Sequence, residues 1–266
     1  MYTIKEYSIK VFKFVFRHTI YTPKRPLRNI LNWLGLLYII IILFPYPFFD
    51  EEYSNNNIKV YSTNEIDEQN LVKILSTVDS LLSKSRIYDP SKKHKLFMCN
   101  NKSLYMIFSL IGFKKSFGVY NPLTHYVFFP EVDFNNNTVI NYNPNSKRAG
   151  DLARVITHEI MHYHFASYIG KLRNLFYKWW KKEGYCDYTA KNSSFDLDEA
   201  FQLIRDGRET SKLSSFRYFK YRLYVTYLLD IEGITLDHFI NTKFDTNILD
   251  KEILTHLIEL EKIIRE

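Results

Sequence analysis

Cysteine is scarce in this sequence. Cys99 and Cys186 are the only two in 266 residues. Two cannot form a disulfide framework, and their spacing is not that of a thiolate metal site, so both are expected to be free thiols. Internal repeats are also lacking, which excludes a solenoid or a propeller. Basic excess is lacking where it would matter. The formal net charge is +7, but residues 1–28 hold seven bases against Glu6 alone. The rest of the chain holds 29 bases against 28 acids. The folded part therefore offers no strongly positive surface, and nucleic acid is not an expected partner.

Apolar residues make up 46% and aromatics 17% of the chain, enough for a sizeable core. Residues 29–49, from Asn29 to Phe49, carry no charge and follow the basic segment directly. As a helix rising about 1.5 Å per residue they would cover roughly 30 Å, one bilayer core. Trp33, Tyr38 and Tyr46 suit the interfaces. Pro45 and Pro47 would end such a helix early. No small-residue cleavage site follows the apolar run, so an anchor is expected rather than a signal peptide. The bases would stay inside, giving a single-pass membrane protein with a cytoplasmic N-terminus and an extracytoplasmic domain. The predicted organisation is a basic tail at 1–28, a transmembrane anchor at 29–49 in the lipid bilayer, a linker at 50–64 and one domain at 65–266.

Within that domain, apolar residues from Ile66 to Leu82 recur at helical spacing, with Thr63 or Asn64 as a cap. A short strand is expected at 95–99 and a small helix at 104–113. Residues 116–142 are rich in β-formers and broken by Asn and Pro, which predicts two or three strands. After a turn at Asn143–Ser146, helices are expected over about 148–167, 177–191, 196–206, 215–232 and 248–265. Strands first and helices afterwards make the fold class α+β, with a small N-terminal sheet and a mostly helical C-terminal half.

The motif helix carries Thr157-His158-Glu159-Ile160-Met161-His162. Four residues separate the two His, so one helical face holds both imidazoles. That spacing lets two nitrogens share one zinc, with Glu159 beside it to handle protons. A hydrolytic zinc site needs a third protein ligand and an open position. The metzincin pattern would place a Gly and a His after the motif, but Phe165 and Tyr168 stand there. The candidate ligand is Glu183, 21 residues after His162, with Asp187 one turn further on the same face. Asp187 is placed to accept a hydrogen bond from a ligating imidazole and to orient it. His164 points away from the ligand face, and His125 has no spacing that ties it to the site.

His158-Glu159-Ile160-Met161-His162 followed by Glu183-Gly184-Tyr185-Cys186-Asp187 resembles the gluzincin class of zinc metallopeptidases, over roughly residues 150–232. The phrase after the Trp-rich stretch is similar to peptidase-MA-like proteins. The resemblance implies a zincin-like fold and one zinc ion held by His158, His162 and Glu183. It implies Glu159 as general base and Asp187 behind a ligand. The segment Tyr218-Phe219-Lys220-Tyr221 is similar to the Tyr-x-Lys-Gly stretch of the aminopeptidase branch. It nominates Tyr218 as oxyanion stabiliser, with Tyr221 standing where that pattern has Gly. Tyr221 and Arg222 are the nearby competitors. A strand between Tyr126 and Tyr142 is expected to form the upper lip of the cleft and to pair with an extended peptide substrate. The expected function is membrane-anchored, zinc-dependent peptide hydrolysis. The alternative is a non-catalytic, membrane-tethered domain with a structural or binding zinc, which a fourth protein ligand would mark.

Overall fold

The computed structural model describes residues 26–109, 116–142, 149–191, 195–208 and 214–265. The turn expected at Asn143–Ser146, most of the basic tail and the far end of the helix expected at 104–113 lie outside them. The chain divides into two compact units, one ending at Phe48 and one running from Phe49 to Glu266.

In the first unit, helix α1 covers Pro26–Leu43 and a 3-10 turn follows at Tyr46–Phe48. Among the described residues no helix is long and apolar enough to cross a membrane, which corrects the span expected at 29–49. The helix stops at Leu43, two residues before Pro45. Arg28, Asn29 and Asn32 occupy its first turns. The uninterrupted apolar part, from Trp33 to Leu43, is roughly 17 Å long, about half a bilayer core.

The second unit opens with a hairpin where a linker was expected. Strands β1 (Glu51–Asn55) and β2 (Ile58–Ser62) pair antiparallel around Asn56, which takes a positive φ of 41°. Asn is among the few residues that adopt this conformation readily. The domain thus starts well before residue 65. Helix α2 (Glu68–Leu82) buries Leu71, Ile74, Leu75, Val78, Leu81 and Leu82 along one face. Its cap is Asp67, whose side chain accepts from the Asn70 N–H, rather than Thr63 or Asn64. Strand β3 (His94–Met98), helix α3 (Lys102–Phe108), β4 (Val119–Tyr120) and β5 (Tyr126–Phe129) complete a five-stranded sheet in the order β1-β2-β3-β5-β4. The β2–β3 and β3–β5 pairs are parallel, while β4 runs antiparallel to β5 at the edge. A second sheet joins β6 (Glu131–Asp133), β7 (Thr138–Ile140) and β8 (Ala149–Asp151).

Val60, Leu96, Met98, Val127 and Phe129 line one face of the large sheet and pack into one core with α2 and the motif helix α4 (Leu152–Ile169). The opposite phase carries Tyr61, Phe97 and Phe128, whose rings stack with one another and with Phe108, while Phe49 meets Phe97 edge-on. Helices α5 (Lys171–Leu175), α6 (Trp179–Ala190), α7 (Leu197–Arg205) and α8 (Ser214–Thr226) follow. A π-helical turn continues α8 at Tyr227–Ile231. Helices α9 (Leu236–Asn241), α10 (Thr246–Thr255) and α11 (Leu257–Arg265) end the chain. The single helix expected at 248–265 is therefore two, and α9 is additional. The α+β class holds, with all described strands before the motif helix and helices after it.

Candidate metal centre

Helix α4 is buried almost all round, which its sequence permits because uncharged residues flank the motif. Asp151 starts it by accepting from the Arg154 N–H. Gly170 ends it at a φ of 93°, a conformation that favours glycine. His158 and His162, one turn apart, set their rings 4.8 Å from each other at 84°. Together with Glu159 each brings a ligand-capable atom within 4.8 Å of the others.

Helix α6 supplies the remaining groups. Glu183 Oε2 lies 3.4 Å from His158 Nε2 and 3.5 Å from His162 Nε2. Ligands about 2.0–2.1 Å from a tetrahedral zinc are themselves separated by about 3.3–3.4 Å. Glu183 therefore sits at ligand spacing from both imidazoles. Its other oxygen, Oε1, is buried and has no hydrogen-bond partner among the described residues. Glu159 satisfies the same proximity with both His, but the backbone N–H of Tyr120 in β4 holds its carboxylate. Glu183 thus completes a candidate His2Glu donor set, with Glu159 beside it. These residues fit a zinc ion.

The two imidazoles have different backing. Asp187 Oδ1 accepts from His158 Nδ1 at 2.7 Å, which leaves Nε2 facing Glu183. Behind His162 Nδ1 stands Cys186 Sγ at 3.4 Å. Nδ1 donates to it in the tautomer that leaves Nε2 free. Electrostatics follow these partners. Burial opposes a charge on His158, but Asp187 and then Glu183 raise its pKa well above the ordinary value. Burial lowers His162 to about 3, outweighing Glu183. Burial pushes Glu159 up to about 7, against the pull of His158. Burial also raises Glu183, yet His162 and His158 bring it below the usual carboxylate range.

Two glycines make the geometry possible by close approach. A Cβ on Gly184 would meet the Tyr221 carbonyl oxygen at 2.5 Å and Val225 Cγ2 at 2.9 Å. Only glycine lets α8 pack directly on α6, between the positions that carry Glu183 and Asp187. A Cβ on Gly118 would lie 2.9 Å from Glu159 Cγ. The strand β4, two residues long and at the sheet edge, thereby lies against Glu159. Of the strands between Tyr126 and Tyr142, β5 is enclosed by β3 and β4, while β6 forms an edge of the second sheet.

Tyr218, half-buried on α8, is raised in pKa by burial and then by the field of Glu183, Asp187 and Glu159. It stands close enough to feel all three acids, and Trp179 hydrogen-bonds to it. Of its competitors, Tyr221 offers its main chain to Gly184. Arg222 is buried, and its charge acts on Asp187.

Three residues at the site had no visible signal in the sequence: Gly118, Tyr120 and Cys186. Tyr120 stacks on the His162 ring at 6.2 Å, and its hydroxyl meets His125 Nδ1 at 2.5 Å. Lys171 Nζ donates to His125 Nε2 at 3.1 Å, so His125 does join the surroundings of the site. His164 faces away, with its Nε2 3.2 Å from His94 Nε2. The chain matches no known protein-family model and no curated protein.

Proposed function

We propose that this chain is a zinc-dependent peptidase of the gluzincin kind, with a zincin-like fold around the motif helix. The observation that carries the reading is the placement of Glu183 Oε2 at 3.4 and 3.5 Å from two imidazole nitrogens on one helix face. Asp187 behind His158 strengthens it. Three protein ligands with a free carboxylate alongside are what hydrolysis requires, and a closed four-ligand site is what a structural zinc requires. His158, His162 and Glu183 would hold the ion, which supplies Lewis acidity toward a water molecule and a carbonyl oxygen.

The rest belongs to the chain's own residues. Glu159 takes the proton of the attacking water and passes it to the leaving amine. The Tyr218 hydroxyl donates to the oxygen that becomes negative. An extended peptide lies along the open edge of β4, with its scissile bond over Glu159. The test is zinc quantification on the full chain, followed by cleavage of a peptide library. Glu159→Gln should keep about one zinc per chain and lose cleavage. Undiminished cleavage by that variant would sink the mechanism.

A further inference from the structure

Between the two ligand-bearing helices the chain makes a projection. Leu172 is 80% exposed, Leu175 68%, Phe176 89% and Trp179 52%. They lie on helix α5, on the turn that follows it and at the first residue of α6, and all four face out. The stretch is not a loose loop. Tyr177 Oη donates to the Ile240 carbonyl at 2.8 Å, and Arg173 donates to Asn241 Oδ1 at 3.1 Å. The buried Lys181 ammonium donates to the Phe239 and Thr242 carbonyls. These four bonds tie the projection to helix α9 and to Thr242 just past its end. A surface of four large apolar side chains, held rigidly, is uncommon on a soluble protein without a partner.

Charge identifies the partner. From Gly170 to Lys182 the chain has no acid. Lys171, Arg173 and Lys178 are exposed around the apolar side chains, and Lys182 Nζ lies 4.4 Å over the Trp179 ring. Aliphatic and aromatic side chains interspersed along the chain with exposed bases match the headgroup level of a bilayer. There the apolar groups enter the acyl boundary and the bases meet anionic lipid. We infer that Leu172–Trp179 is a docking site for an anionic lipid surface. The inference is independent of the metal centre and of any membrane span.

The experiment places one label on the full chain. Both native cysteines are buried, so Phe176→Cys can be tagged selectively with a polarity-sensitive nitrobenzoxadiazole dye. Ile258→Cys, at another highly exposed position on α11, is the control. With phosphatidylcholine–phosphatidylserine vesicles, the dye at 176 should shift to the blue and be quenched by shallow spin-labelled lipids. The dye at 258 should not respond. Phosphatidylcholine alone should bind about a hundredfold more weakly, for three bases near the surface. Adding Leu172→Ser, Leu175→Ser and Trp179→Ser to the labelled chain should cut the response at least about tenfold. A dye at 176 that stays in water at saturating vesicles overturns the inference, as do equal responses at both sites. So does a response to an apolar peptide without one to vesicles, which would assign the surface to substrate.

Discussion

Helices α1 and α4 are both 18 residues long, yet the one richer in aliphatic residues is the exposed one. Leu34, Leu37 and Ile40 of α1 face out. In α4, His158 and Glu159 are buried together with Thr157 and His164. Apolar content sets what a helix can bury, and the neighbours decide what it does bury. Helix α4 has α2, the sheet and α6 around it, so even its charged residues are enclosed. Enclosed polar groups must find partners: His158 and His162 find theirs on α6, Glu159 on β4 and His164 on β3. The pairing of α4 with α6 forms the candidate metal centre.

The comparison can be broken by substitution. The largest expected effect is Glu159→Gln, which should lower kcat/KM for peptide cleavage by about 10²–10⁴-fold with zinc content unchanged. Next, Ile156→Ala in the fully buried face of α4 should cost about 2–5 kcal/mol in denaturant unfolding. Leu37→Ala on α1 should stay within about 0.5 kcal/mol. Equal costs would erase the contrast between the helices. Asp187→Ala should weaken zinc binding about a hundredfold in a chelator competition, and Cys186→Ala about tenfold, since a thiol is a poor hydrogen-bond acceptor. The reverse order would show that His162, not His158, is the ligand whose orientation matters most.

Much of the metal centre was legible because its logic is local. His158 and His162 repeat at one turn, as do Glu183 and Asp187, and helical spacing projects each pair onto one face. What stayed hidden depends on long-range approach. Gly118 reads as an ordinary residue in a β-rich stretch until Glu159, 41 positions later, is found against it. Cys186 became a partner of His162 only when α4 and α6 were packed. The hairpin at Glu51–Ser62 was masked by Asn-rich composition, since pairing on both sides makes β2 a strand despite its polar surroundings. For α1 the uncharged run overstated the helix, because Arg28, Asn29 and Asn32 take up its first turns and the chain leaves helical geometry before Pro45.

In the proposed centre His158, His162 and Glu183 hold one zinc in an open site. Zinc K-edge X-ray absorption on the full chain is the decisive measurement. The expected shell holds nitrogen and oxygen only, at about 2.0–2.1 Å, with two imidazoles that fall to one in His162→Ala. A sulfur scatterer at about 2.3 Å would contradict it, because Cys186 would then be a ligand and not a support.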